Sequence, residues 1–477
     1  MIPMRVAEVA EATGGQLDGV DATALVTSVA TDSRDVKLGT LFVAMRGEHA
    51  DGHDFAAAAL ASGAVAVLSA RPVDGPSIIV DPSIRTGAGG LDEPVLHALG
   101  RLAHAVRLRS SANAIGITGS SGKTGTKDLV AALLGRLGPT VASRESFNND
   151  LGVPLTVLRA EPSTAHLVLE MGSRGVGDIT RLCAIARPDV GVVLNVGSAH
   201  LGEFGSIEVT AAAKSELVQA LPPDGLAVLN LDDPRVAAMA SQTSARVVGV
   251  SAEAATGAVI CASAVRIDSA GRPAFRLAAP DGEAEVTLRL VGAHYVSNAL
   301  AAAAVAHAAG MPVAAVADAL SSAEPSAAGR MQVTHRADGV TVVNDAYNAN
   351  PESMRAALRA LVALGASATG RTWAVLGEMR ELGAVSAQAH EDIGRFAARI
   401  GVARIVAVGT GARPIHAGAT AGDADAVESV SVADITAAHD LLRRELSAGD
   451  VVLLKSSRDS GLRHLGERVA ADSGPTA

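Results

Sequence analysis

Residues 113–126, Asn-Ala-Ile-Gly-Ile-Thr-Gly-Ser-Ser-Gly-Lys-Thr-Gly-Thr, decide how the chain is read. An apolar run ends at Thr118, and Gly119, Ser120, Ser121 and Gly122 follow as a loop of small residues. Lys123 and Thr124 then open a segment with Leu129, Leu133 and Leu134 at helical spacing. Strand, glycine-rich loop and helix in that order make a phosphate cradle, because backbone N–H groups converge where a helix N-terminus favours negative charge. Lys123 would reach the β- and γ-phosphates, and the Thr124 hydroxyl would hold Mg2+. The common pattern also has a glycine where this chain has Ile117. The competing reading is a structural turn that happens to contain Gly-Lys-Thr, and the strand–loop–helix context favours the cradle.

Outward from this loop, apolar runs at 167–171, 190–196 and 226–231 alternate with helix-like segments. That alternation predicts a mainly parallel sheet with helices on both faces. Residues 256–290 read as β-hairpins turning at Gly271 and at Asp281-Gly282. This central nucleotide-binding unit spans residues 109–325. Before it, residues 1–108 mix short apolar runs (41–44, 64–68, 77–80) with a loop at 81–90 and a helix at 94–107, a small α/β unit. After a linker at 324–329, residues 326–477 alternate again, with strands at 340–343, 372–376, 404–408 and 451–454 and helices at 351–364 and 386–400. This third unit reads as Rossmann-like. The expected fold is therefore α/β in three domains, with no fixed-period repeat.

A chain of 477 residues suits about three domains. With 48% hydrophobic and 19% charged residues it has material for several cores, and with 2% aromatics those cores must be aliphatic. The net charge of −10 at pH 7 excludes bulk nucleic-acid or anionic-membrane binding, which needs a basic face. Two cysteines, Cys183 and Cys261, make no disulfide framework and have no metal-ligand spacing. Glu8 and Glu11 fall where a signal peptide needs an apolar stretch. His307, Pro312 and Asp318 interrupt the most apolar run, 301–320, so no membrane insertion is expected. These observations predict a soluble cytoplasmic protein.

Other chemistry-bearing residues fall at strand ends, where open α/β sheets place ligands. Glu170 ends one strand and His200 follows another; together they suit a carboxylate and an imidazole on a divalent cation. The run Asn-Asp-Ala-Tyr-Asn-Ala-Asn-Pro at 344–351 puts Asp345, Asn348 and Asn350 before a helix. Lys455 and Arg458 follow a later strand as candidates for a carboxylate or phosphate. Lysine is scarce: only Lys37, Lys123, Lys127, Lys214 and Lys455 occur. A retained lysine can mark chemistry that arginine cannot do, since only lysine is readily deprotonated or modified.

Taken together, TGSSGKT at 118–124, EMGSRGVGDI at 170–179, NVGSAHLGEFGS at 195–206, AAAKSEL at 211–217, AHYVSNALAAA at 293–303, GRMQV at 329–333 and the run from Asn344 resemble the Mur ligases. These are three-domain, ATP-dependent amide ligases of peptidoglycan stem-peptide synthesis. Their phosphate loop has the form T-G-[S/T]-x-G-K-[S/T], which accounts for Ile117. NDAYNANP, LGEMRELG, TDSR and LFVAMRGEHADGHDF resemble the branch that joins D-alanyl-D-alanine to UDP-N-acetylmuramoyl-tripeptide.

The resemblance implies that Thr118–Thr124 bind ATP, that Asn298 sits near the adenine, and that Arg330, Asp345 and Asn348 close on the nucleotide. Lys123, Glu170, His200 and Lys214 would be catalytic, with Thr124, Glu170, His200 and a carbamylated Lys214 serving two Mg2+ sites. Ser33, Arg34, Arg46 and Asn149 would hold the UDP substrate, and Lys455 and Arg458 the dipeptide. The enzyme would act as a monomer. Gly125 stands where the family usually has Ser or Thr, and Ser456 where it usually has Gly. The alternatives are a tripeptide-forming Mur ligase, folylpolyglutamate synthase, or a nucleotide-binding switch that ligates nothing; no N-K-x-D guanine-reading motif occurs.

Overall fold

The apolar runs alternate with helical segments because each strand buries aliphatic side chains under a helix, and the described residues form three large sheets besides the short antiparallel pair Met4–Arg5 with Leu25–Val26. The computed structural model describes residues 1–47, 50–83, 93–197, 204–324, 329–421 and 427–472. The first sheet has five strands in the order Gln16–Asp18, Ser77–Ile79, Ala64–Ser69, Thr40–Val43, Ser28–Ala30, with only the Gln16–Asp18 pairing antiparallel. The helix Pro94–Arg109 leads out of this unit, and Glu93 caps it by accepting from the Leu96 N–H.

The second sheet has nine strands. Asn113–Thr118 pairs in parallel with Val190–Val193 on one side and His166–Glu170 on the other. Leu226–Asn230, Arg246–Ser251 and Ile260–Ile267 continue the parallel part, and Pro273–Ala279 and Gly282–Thr287 finish it as the expected antiparallel hairpins. The run expected as a strand through Val196 stops at Val193, because Asn195 turns away to bind the phosphate loop. The alanine-rich helix Tyr295–Ala308 is buried almost all round and packs on the helix Lys123–Leu134, so alanine supplies close helix–helix contact where aromatics are lacking.

The third sheet has six strands in the order Gln332–His335, Thr341–Asn344, Val451–Lys455, Thr372–Leu376, Arg404–Val408, Glu428–Val432, all parallel but the first pair. Trp373 is fully buried there, its indole N–H donating to Asp450 at 3.0 Å. The linker residues 325–328 lie outside the described residues. Among the described residues, no helix is long and apolar enough to cross a membrane.

Candidate active site

The carboxyl ends of Asn113–Thr118, His166–Glu170 and Val190–Val193 open onto one place, and the phosphate loop is fixed there from two sides. The Ser121 N–H donates to Asn195 Oδ1 at 2.9 Å, and the Ser120 hydroxyl exchanges hydrogen bonds with the Gly197 backbone. Gly122 caps the helix at φ 81°, and a Cβ there would lie 2.7 Å from Asn298 Oδ1, so only glycine lets loop and helix approach this closely. The Lys123 ammonium turns back onto the Gly119 carbonyl at 2.7 Å. Burial lowers its pKa, with Glu170 opposing and Arg330 adding to the effect.

Thr124 and Glu170 are both buried, and the threonine hydroxyl donates to Glu170 Oε2 at 2.8 Å. Asn148 Nδ2 donates to the other carboxylate oxygen at 2.8 Å. Ser146 Oγ lies 3.1 Å from Thr124 Oγ1 and accepts from Arg330 Nη2 at 2.6 Å, joining the second sheet's site to the third. Two more contacts cross the same gap. Asn350 Nδ2 donates to the Ser120 carbonyl at 3.2 Å, and the Tyr347 hydroxyl donates to Glu145 at 3.3 Å. The Arg330 guanidinium stacks over the Tyr347 ring, 4.5 Å from its centroid.

Asp345 and Lys455 form a buried ion pair at 2.6 Å, and the ammonium also donates to the Asn348 carbonyl at 2.9 Å. Asp345 Oδ1 accepts from the Met331 N–H at 3.0 Å, which places Arg330. Lys214 is 3% exposed on the helix Ile207–Gln219, and its ammonium lies 5.9 Å from the Phe204 ring centroid. Burial, with Lys123 nearby, pushes its pKa down to about 7. At neutral pH a substantial fraction of such an amine, about half, is neutral and nucleophilic.

A cleft of about 1340 Å3 joins the three units. It is lined by Ser33, Arg34, Arg46 and Asn149, by Ser120 to Thr124, Glu170 and Asn298, and by Arg330, Asp345, Asn348, Lys455 and Arg458. Thr118, Gly119 and Lys214 are not part of this lining, and His200 lies outside the described residues. At the first sheet Arg34 is exposed and pairs with Asp32, whose carboxyl the guanidinium holds at about 2. Arg46 lies 3.8 Å from Asp51. Cationic groups at both ends, a phosphate cradle between them and a buried hydroxyl–carboxylate pair suit a large anionic substrate beside a nucleoside triphosphate.

The chain has the Mur ligase middle domain at residues 117–306, the Mur ligase glutamate ligase domain at 329–458 and the Mur ligase family catalytic domain at 25–107. The chain belongs to the Mur ligase family. It is 51% identical to the UDP-N-acetylmuramoyl-tripeptide–D-alanyl-D-alanine ligase of Mycobacterium tuberculosis strain H37Rv, over 99% of this chain and 98% of that one. The crystal structure of MurF from Acinetobacter baumannii superposes with a TM-score of 0.86 at 31% identity, covering 98% of this chain and 99% of that one. MurF from Thermotoga maritima, solved in complex with ADP, gives 0.78 at 29% identity over 93% and 97%.

In this Mur ligase, several residues of the cleft escape a reading of motifs alone. Ser146 and Asn195 act through partners far away in sequence, and only their positions beside strand ends hint at it. Tyr347 lies inside the Asn344–Pro351 run, where its stacking role has no local signature. His294, at the N-terminus of the alanine-rich helix, also lines the cleft; burial lowers its pKa to about 4, and its Nδ1 has no hydrogen-bond partner among the described residues.

Proposed function

We propose that this Mur ligase joins D-alanyl-D-alanine to UDP-N-acetylmuramoyl-tripeptide with ATP, giving the pentapeptide precursor of peptidoglycan, ADP and phosphate. One observation carries the reading. A phosphate cradle, a cationic first-domain wall and Arg330 and Asp345 of the third domain share one cleft, as three substrates reacting together require. Full-length likeness to UDP-N-acetylmuramoyl-tripeptide–D-alanyl-D-alanine ligases, and to a MurF solved with ADP, supports it.

The tripeptide carboxylate is a poor acyl donor, so it attacks the γ-phosphorus of ATP and ADP leaves. The resulting acyl phosphate is attacked by the dipeptide amine, which loses a proton as phosphate departs and the amide forms. Such transfer depends on positioning and charge neutralisation rather than on a protein nucleophile. Lys123 and the loop amides hold the β- and γ-phosphates, while Arg330 meets them from the third domain. Asn298 borders the nucleoside, with Asp345 and Asn348 fixing the third-domain wall beside it. Ser33, Arg34, Arg46 and Asn149 hold the UDP substrate, and Lys455 and Arg458 shape the dipeptide end. The units 1–108, 109–325 and 326–477 divide this labour.

The Thr124 and Glu170 oxygens are the hard donors that Mg2+ takes alongside substrate phosphates, and this buried pair would hold it; His200, outside the described residues, would be a further ligand. When bound, Mg2+ neutralises phosphate charge. Lys214, on adding CO2 to its neutral amine and losing a proton, would become a carbamate, a hard oxygen donor that would hold a second Mg2+. The carbamate also removes a buried cation from beside Lys123. An ATP-consuming enzyme with two free thiols belongs in the cytoplasm, and a cleft complete within one chain works as a monomer. Phosphate release from ATP that requires both tripeptide substrate and dipeptide tests the reading. Equal release with neither substrate present would favour the nucleotide switch.

A further inference from the structure

His390 is fully buried on the helix Ser386–Arg399, behind the third-domain wall of the cleft. Its Nε2 accepts from the Met379 backbone N–H at 2.8 Å, so the ring proton is on Nδ1, which donates to the Ser386 carbonyl at 2.7 Å. A leucine or methionine would fill this volume without the cost of burying an imidazole, so the polarity serves the Met379 N–H. The turn it holds is stitched to the segment after Lys455. The Gly377 N–H donates to the Lys455 carbonyl at 2.9 Å, and the Ser457 N–H to the Glu378 carbonyl at 3.0 Å. In return the Arg380 N–H donates to Ser457 Oγ at 3.0 Å, and the Arg380 side chain pairs with Asp459 at 3.0 Å. Arg380, Ser457 and Arg458 line the cleft, whereas His390 does not reach it.

We propose that His390 is a positioning residue for the dipeptide: by holding the Met379 N–H it sets the turn at 377–380, which in turn sets Ser457 and Arg458. This rests on the ligase reading above, in which the third-domain wall meets the amine substrate. The phosphate loop and the UDP-substrate residues lie on other elements, and the turn reaches the nucleotide side only indirectly, through the Lys455 backbone and the Lys455–Asp345 pair, so the effect falls first on the dipeptide.

The test compares wild type, His390→Leu and His390→Gln by the KM of each substrate, with the imidazole tautomer of wild type read by 15N NMR. Gln can offer an oxygen near the Nε2 position and Leu cannot. The leucine variant is expected to raise the KM for D-alanyl-D-alanine about fivefold or more, as loss of one buried hydrogen bond implies, with the KM values of ATP and UDP substrate within about twofold. Gln should recover most of the loss, and wild type should show a proton on Nδ1. Equal shifts in all three KM values, a fall in kcat or stability alone, no rescue by Gln, or a proton on Nε2 would each overturn the inference. If His390→Leu does not fold, the glutamine variant and the tautomer decide it. A wild type with no dipeptide-dependent turnover would instead overturn the ligase reading, and this inference with it.

Discussion

Lys455 Nζ lies 2.6 Å from Asp345 Oδ2, so a residue assigned from sequence to the dipeptide and one assigned to the nucleotide are a single buried pair. The pair binds the end of the strand Val451–Lys455 to the segment that follows Thr341–Asn344, and through the Met331 N–H it sets where Arg330 stands.

Breaking that pair strands a buried charge. Lys455→Met is expected to cost about 3–5 kcal/mol of stability, as loss of one partner of a buried ion pair does. The double variant Asp345→Asn, Lys455→Met should recover most of that in urea unfolding without recovering turnover. Full activity in the double variant would show that the pair is structural only.

Lys214→Ala should be nearly inactive and partly rescued by acetate, which brings a carboxylate to the emptied site. Lys214→Arg should stay inactive with or without acetate, because a guanidinium cannot form the carbamate. Steady-state ligation rates check both, and an active arginine variant would contradict the assignment.

Gly125 is explained by its neighbours. A Cβ there would meet Tyr295 Cε1 at 3.0 Å and Asn298 Nδ2 at 3.2 Å, so the ring of Tyr295 occupies space a side chain at 125 would need. Gly125→Ser should therefore cost about 1–3 kcal/mol in overpacking and weaken ATP binding. Adding Tyr295→Asn should relieve that cost. Calorimetric titration with ATP measures it, and purely additive effects of the two changes would contradict direct contact.

His294 predicts a pH effect on stability. Burial lowers its pKa from the ordinary 6.5 to about 4, so in this window the unfolded chain binds the proton more readily than the folded one. Its contribution to stability is intact above about pH 6.5 and is lost progressively as the pH falls toward 4. Between pH 7 and roughly pH 5, wild type should lose more stability in urea unfolding than His294→Asn. Equal losses would place the acid sensitivity elsewhere.

Much of this was legible in the sequence where chemistry is contiguous. The phosphate loop reads directly, because strand, glycines, Lys123 and helix follow one another and each follows from local backbone geometry. The alternating α/β pattern and the hairpins at Gly271 and Gly282 read equally well. Side-chain partners brought together by the sheets did not. Ser121 meets Asn195 across 74 positions, Lys455 meets Asp345 across 110, and Arg330 meets Ser146 across 184. No local pattern encodes such distances, since strand order sets them. The helix Ile435–Glu445 went unread although Asp434 caps it by accepting from two backbone N–H groups, a signal present in the sequence.

The central claim is that this cleft joins a dipeptide to a UDP-linked tripeptide. The most direct measurement incubates the protein with ATP, Mg2+, UDP-N-acetylmuramoyl-tripeptide and D-alanyl-D-alanine and follows products by mass spectrometry beside phosphate release. The account predicts UDP-N-acetylmuramoyl-pentapeptide in step with ADP and phosphate, and no comparable product with D-alanine or L-amino acids. Equal phosphate release without the dipeptide, or a product one amino acid longer than the tripeptide, would contradict it.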